Sequence, residues 1–188
     1  MRCLSCRRLS FSLLCSVCRE HYLKPEPRIR KLETGLEVIS FYAYDEIEPF
    51  LLTKHLPHGW FIYRILAKEA FKALSQTKRT TFAIPVDDDP SGGYSHTAIL
   101  AKGLKRYGYR PLFGRLHAQN RLSYSGQPLA FRVQNPRDFR YTGPTNIDAV
   151  LVDDIITTGL TLKEAHGRLL QHGVDLLGAF VLADVDRA

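Results

Sequence analysis

Two adjacent carboxylates, Asp153 and Asp154, are followed within a few residues by Thr157, Thr158, Gly159 and Thr161. Neighbouring carboxylates suit the two hydroxyls of a diol, such as those of a ribose ring. Threonine hydroxyls and backbone N–H groups at the start of a helix, where the helix dipole is positive, suit a phosphate. A sugar phosphate fits both halves. The elements that must position these groups are legible on either side. Residues 149–152 (AVLV) read as a fully buried strand, whose interior would not accept the two acids unpaired. Residues 162–171 carry a helical pattern that ends at His172-Gly173, a good C-cap. The order is strand, acidic edge, hydroxyl and glycine loop, helix. That places the acids at the carboxyl edge of an open parallel sheet, where α/β folds bind ligands. The bland alternative is an ordinary β-loop-α turn with an N-cap threonine.

This stretch resembles the signature loop of type I phosphoribosyltransferases, which bind 5-phosphoribosyl 1-pyrophosphate (PRPP). The acid pair, the glycine and the three threonines recur in that family's order. The resemblance implies that Asp153 and Asp154 contact the ribose hydroxyls. It implies that the loop, with Ile155, Ile156, Thr157, Thr158, Gly159, Leu160 and Thr161, wraps the 5-phosphate, and that Mg²⁺ accompanies PRPP. Purine phosphoribosyltransferases commonly have an aspartate, acting as base, where this chain has Thr157. A threonine does not titrate near neutral pH, which disfavours purine salvage.

All four cysteines lie in the first eighteen residues, as Cys3-x2-Cys6 and Cys15-x2-Cys18. Two such knuckles present four thiolates to one tetrahedral Zn²⁺, and a structural metal replaces the core that so short a segment cannot build. Disulfides compete with this account. Zinc is favoured in a chain without a secretion signal whose cysteines are all paired at two-residue spacing. Arg7, Arg8 and Arg19 flank the ligands, either to touch phosphates or as solvated surface.

A length of 188 residues and a 45% hydrophobic fraction allow one α/β domain with a small appendage. The expected organisation is a zinc ribbon and linker over 1–31 and a phosphoribosyltransferase-like domain over 32–188. No apolar run approaches the roughly 18 residues that span a bilayer, and the basic N-terminus lacks a signal-peptide segment. The expectation is a cytoplasmic protein without membrane insertion. The net charge of +7 is uneven: residues 1–31 carry net +6 and residues 102–140 net +8, against a net −7 elsewhere. Such separation favours a polyanionic partner on particular faces.

Strands are expected at 36–44, 81–86, 112–116 and 174–185, and helices at 60–75 and 95–107. Residues 21–33 read as a linker. Trp60 reads as a core anchor rather than a base-stacking residue. The strand at 81–86 opens onto Asp87, Asp88 and Asp89. Three carboxylates would repel a pyrophosphate unless a divalent cation such as Mg²⁺ intervened or they faced solvent. The same run, continuing through Pro90, Ser91, Gly92 and Gly93, is also plain turn chemistry.

Taken along the chain, several motifs resemble the ComF family, competence proteins of natural transformation with a phosphoribosyltransferase-like domain. They are the four-cysteine N-terminus, Pro85-Val86 at a strand end, Gly93-Tyr94-Ser95-His96 entering a helix, and the acid-acid-Ile-Ile-Thr-Thr-Gly loop. Gly93-Tyr94-Ser95-His96 stands where that family commonly has Gly-Phe-Asn-Gln, and Gly92 replaces the usual preceding arginine, so one anion contact is missing. Arg132-x-x-Asn135 and Phe139 also have counterparts.

The segment 120–141 interleaves Arg121, Arg132, Arg137 and Arg140 with Tyr124, Phe131, Phe139 and Tyr141. Arginines among aromatics suit single-stranded nucleic acid. The segment also falls where phosphoribosyltransferases place a loop that closes over the active site. A solvated loop pinned by its aromatics is the third reading. The resulting expectation is an α/β fold: a mostly parallel sheet with helices on both faces, of the type I phosphoribosyltransferase kind, plus a zinc ribbon. Its expected role is that of a competence protein with a PRPP site. It would handle single-stranded DNA through Arg7, Arg8, Arg121, Tyr124, Arg132, Arg137 and Arg140, with other components of the DNA uptake machinery as partners. The alternative is an active phosphoribosyltransferase that passes phosphoribose from PRPP to a nitrogen acceptor.

Overall fold

The apolar stretches expected as strands around 149–152 and over 174–185 lie side by side at the centre of a six-stranded sheet. The computed structural model describes residues 1–120 and 129–186, and only the backbone of Leu129 and Arg132. Its elements, in chain order, begin with α1 (Ser16–Tyr22), β1 (Arg28–Lys31), β2 (Glu37–Ala43), α2 (Tyr44–Leu51) and α3 (Gly59–Ala70). Next come β3 (Phe82–Pro85), α4 (His96–Gly103), β4 (Arg110–Pro111), β5 (Leu116–Ala118) and α5 (Leu129–Gln134). The chain closes with β6 (Phe139–Tyr141), β7 (Ile147–Ile156), α6 (Leu160–Gln171) and β8 (Val174–Asp184).

The sheet order is β1-β2-β8-β7-β3-β4, with β1 antiparallel to β2 and every other pair parallel. Strand periodicity sorts the central residues into two layers. Val150, Val152 and Phe180 join Ile62, Leu66 and Leu100 of α3 and α4 on one face. Ala149, Leu151, Ala179 and Val181 pack against Leu162, Ala165 and Leu169 of α6 on the other. Helices therefore cover both faces, and strands so covered read as continuous apolar runs rather than alternating ones. The expected mostly parallel α/β architecture is the observed one. Among the described residues no helix is long and apolar enough to cross a membrane.

Two local readings change, and a third stretch gains elements for which there was no reading. In place of a strand over 112–116, β4 ends at Pro111, the chain turns at Gly114 with φ +62°, and Leu116 starts the β5–β6 hairpin. The Gly114 N–H donates to the buried carboxylate of Asp88 at 2.7 Å, which anchors that turn. Residues 44–55 form α2 and a 3-10 turn, a pattern obscured by Pro49, which sits inside α2. Within the stretch expected as a linker, residues 28–31 form β1 and add a strand to the sheet edge. The cysteine segment packs onto the body. Cys3, Leu14, Cys18 and Leu23 belong to the same buried cluster as Phe41 and Ile62, and Arg19 on α1 reaches Glu69 on α3 at 3.8 Å.

Candidate functional site

Strand β7 outruns its neighbour. Its partner β3 ends with Pro85 opposite Val152, whereas β7 stays paired with β8 through Ile156. Asp153 and Asp154 therefore lie within a strand but beyond the end of β3. Successive strand residues point to opposite faces, so the two adjacent acids part company.

Asp154 follows Val150 and Val152 into the α3–α4 layer. Its Oδ2 accepts from Lys54 Nζ at 2.9 Å and from the Tyr63 hydroxyl at 3.1 Å, with His96 Nε2 at 3.5 Å. Burial disfavours the charge, but His96, Lys54 and Tyr63 more than offset it and hold the carboxyl well below its ordinary range. Burial also works against the Lys54 charge, and Asp154 outweighs it, raising that pKa. Burial lowers His96 despite the attraction of Asp154. Asp154 is thus an anion held by Lys54 and Tyr63, with the His96 ring beside it.

Asp153 has a different environment. Its Oδ1 accepts the Asp154 backbone N–H at 2.8 Å, and burial, followed by repulsion from Asp154, raises its pKa well above the usual carboxylate value. It lines a narrow hollow whose other walls are residues 155–162. Gly159, at φ +78°, is the N-cap of α6, and a Cβ there would come within 2.7 Å of Leu32 Cδ2. A side chain there would be strained by the left-handed backbone and would have to displace the end of Leu32. Arg30 on β1 braces the loop from outside. Its guanidinium donates to the Thr157 carbonyl at 2.8 Å and pairs with Asp184 at 3.1 Å and Asp186 at 3.0 Å. Thr157, Thr158, Leu160 and Thr161 line the hollow where the helix begins, and α6 supplies N–H groups ahead of its first internal bond, from Lys163 N–H to the Gly159 carbonyl.

Lys54, Tyr63, His96 and Arg30 are the residues that sequence reasoning did not single out for the site. One of them had a signal, since His96 closes the Gly93-Tyr94-Ser95-His96 segment. Ser95 caps α4 through a 3.1 Å bond from the Ala98 N–H. The Tyr94 hydroxyl lies 2.8 Å from the Lys54 carbonyl oxygen and clamps the turn that carries Lys54. Gly59 leaves room for that clamp: a Cβ there would lie 2.1 Å from the Tyr94 oxygen.

The three carboxylates after β3 are each engaged by donors of the protein itself. Asp87, in left-handed backbone at φ +49°, accepts from the Ala118 N–H at 2.9 Å and meets Arg137 at 3.3 Å. Asp88 holds Gly114, and Asp89 accepts from the Ser91 N–H and hydroxyl, each at 2.9 Å. Only the Asp89–Ser91 pair is the turn chemistry that was one of the two readings of the run; Asp87 and Asp88 reach residues 26 to 50 positions away.

At the other end of the molecule, the sulfur atoms of Cys3, Cys6, Cys15 and Cys18 all lie within 4.8 Å of one another, and all four cysteines are free thiols. Four sulfurs tetrahedrally disposed about zinc at about 2.3 Å stand about 3.8 Å apart; Cys6 and Cys15 are 3.7 Å apart. The Cys15 N–H donates to the Cys3 sulfur and the Cys18 N–H to the Cys15 sulfur, each at 3.4 Å. Burial opposes ionisation of Cys3, but main-chain donors from Cys15, Cys6 and Ser5 lower its thiol to about 6. Cys18 moves up to about 11: a bond from Ser5 favours its thiolate, and burial with the other three sulfurs prevails against it. Four sulfurs this close could hold one metal ion, and the donor set fits zinc.

Arg7 and Arg8 are exposed on the cysteine segment, and Arg140 is exposed on β6. Arg137 is tied to Asp87, and its backbone N–H donates to Glu164 at 2.6 Å. Arg121, Tyr124 and the side chain of Arg132 lie outside the described residues.

No family model and no curated protein matches the chain. Among solved structures it is similar to Leishmania donovani UMP synthase, at 18% identity and a TM-score of 0.40, covering 84% of this chain and 28% of that one. It is similar to orotate phosphoribosyltransferase from Aeropyrum pernix, at 15% identity and a TM-score of 0.40, covering 88% and 78% of the two chains. For adenine phosphoribosyltransferase from Saccharomyces cerevisiae the identity is 14% and the TM-score 0.40, covering 89% and 88%. This chain thus spans just over a quarter of the UMP synthase. At such identities and TM-scores, function rests on the site's own geometry.

Proposed function

We propose that the hollow at the start of α6 binds PRPP with Mg²⁺, and that the protein acts in natural transformation, handling single-stranded DNA. The observation that carries the PRPP reading is the hollow itself. One carboxylate, Asp153, lines the same narrow space as three threonines and the N-terminus of a twelve-residue helix, across a left-handed glycine turn. The 5-phosphate is held by the loop from Thr157 to Thr161. The ribose hydroxyls donate to Asp153, replacing with hydrogen bonds the hydration that its ionised form lacks. Asp154 belongs to the site as its anchor, since its own oxygen is taken up by Lys54 and Tyr63. Mg²⁺ neutralises the pyrophosphate oxygens of PRPP. Zinc in the four-cysteine cluster is structural, each sulfur filling one corner of a closed tetrahedron. The role in transformation rests on the resemblance of the sequence motifs to the ComF family, and the exposed Arg7, Arg8 and Arg140 support a polyanionic partner.

The test is calorimetric titration of PRPP and Mg²⁺ into zinc-loaded protein and into its Asp153→Asn variant. The wild type binds, and the variant loses at least tenfold in affinity, consistent with removal of charge-assisted hydrogen bonds worth about 1.5–3 kcal/mol. Unchanged binding in the variant would reject the ribose assignment, and no binding by the wild type would reject the PRPP site. Turnover is the second reading: PRPP-dependent release of pyrophosphate in the presence of a nitrogen acceptor would establish it.

A further inference from the structure

Helices α3 and α4 run in the same direction over the sheet. Tyr63 stands against His96 at the start of α4, with ring centroids 5.5 Å apart, and Gly103 packs at its end, where a Cβ would come within 2.9 Å of Ala67 Cβ and 3.3 Å of Phe71. This close approach leaves a groove on the outer side of the pair, floored by Ala67, Ile99 and Gly103. Its banks are basic. Arg64 and Lys68 stand one turn apart on α3, and Lys102 and Arg106 are likewise four residues apart at the end of α4 and in the 3-10 turn that follows it. All four are exposed, no carboxylate lines the groove, and among the described residues none of the four pairs with one. Aromatic rings complete it. Tyr107 is half-buried, and half-buried Trp60 carries the Arg64 guanidinium 4.5 Å above its ring.

We infer that this groove is a binding surface for single-stranded nucleic acid. Two rows of cations at one-turn spacing answer a repeating anion, and they impose no sequence requirement. Both rings also pack against the core, and the guanidinium on Trp60 with the exposed part of Tyr107 offers flat faces to unpaired bases, which a duplex would keep stacked. An acidic peptide shares the charge but has no use for the stacking faces, so the nucleic acid is the better match. The inference rests on the proposed handling of single-stranded DNA. It assigns that contact to a surface other than the arginines of residues 1–31 and 120–141. It also gives Trp60 a role that its core-anchor reading did not.

Trp60 is the sole tryptophan of the chain and lines the groove, so its emission reports on that neighbourhood. Zinc-loaded protein is titrated with oligothymidylate, with polyglutamate of matched length, and with PRPP plus Mg²⁺. Oligothymidylate is expected to quench Trp60 saturably. The double variant Lys68→Glu, Lys102→Glu changes two exposed residues and is expected to weaken that binding at least tenfold. Losing two phosphate contacts should lower the slope of log affinity against log salt by about 1.4. PRPP binding by calorimetry stays unchanged in this variant, whereas Asp153→Asn loses PRPP and keeps the quench, so the two sites fail separately. The inference is overturned if oligothymidylate leaves Trp60 emission unchanged, if the double variant binds it like the wild type, or if only polyglutamate occupies the groove.

Discussion

Asp153 and Asp154 are neighbours with opposite roles, and their electrostatics make that division measurable. Asp154 has a lowered pKa. Its contribution to stability is complete above the ordinary carboxylate range, near 4, and is lost as pH falls through its depressed value. Asp153 has a raised pKa. Between the ordinary value and the raised one, the folded protein keeps a proton that the unfolded chain gives up, so stability declines as pH rises through that window. Replacing Asp154 with Asn should therefore destabilise the ligand-free protein, by roughly 3 kcal/mol at neutral pH, because Lys54 stays largely buried without its anion. Asp153→Asn should leave stability unchanged or raise it, and should flatten its decline toward alkaline pH. Urea denaturation from pH 4 to 8 measures both. Equal losses in the two variants would show that the acids act as one unit. A double alanine variant would confound ligand contact with the loss of this anchor, and for that reason Asp153 alone is the informative substitution.

At the level of elements, α6 and its entry loop depend on one backbone angle. Gly159→Ala places a side chain in left-handed backbone, at about 1–2 kcal/mol, and drives its Cβ to within 2.7 Å of Leu32. The expected outcome is a loss of about 2 kcal/mol or more in stability, together with loss of PRPP binding, read by thermal unfolding and calorimetry on the same variant. Full affinity in Gly159→Ala would show that the turn is not the phosphate cradle. The strand, loop and helix of this unit were legible because each is specified locally: an apolar run, a glycine between hydroxyls, and a period near 3.6. The cage around Asp154 was not. Lys54, Tyr63 and His96 come from a 3-10 turn, α3 and α4, and only packing brings them to β7. Pro49 also obscured the helical character of the segment that leads into the turn carrying Lys54. The strand expected at 112–116 begins only at Leu116 for a related reason: the turn before it is set by Asp88 holding Gly114, a contact across 26 residues that no local pattern reveals.

For the whole molecule, the cysteine segment is joined to the fold rather than tethered beside it. Leu14 is fully buried, Cys3 and Cys18 nearly so, and all three share a core cluster with Phe41, Ile62 and Leu66. A metal that organises the four sulfurs therefore also holds the covering of α3, the helix that supplies Tyr63 to the Asp154 cage and Arg64 to the basic groove. Free thiols cannot do the same work, because ionising one of them raises the cost of ionising the next. The prediction is one zinc per chain by atomic emission, and a fall in Tm of several degrees when a strong chelator removes it. Removal should be easier at low pH, where protons compete for the sulfurs. After chelation all four thiols should react with a disulfide reagent, whereas the loaded protein protects them. Loss of Leu14 packing should further reduce oligothymidylate quenching of Trp60, since α3 carries one bank of the groove. If the metal-free protein kept both its Tm and its thiol protection, the cysteines would be a packed cluster of thiols and the segment would stand on its hydrophobic contacts alone. If Tm fell while the quench persisted, zinc would support the segment without reaching the helix beneath it.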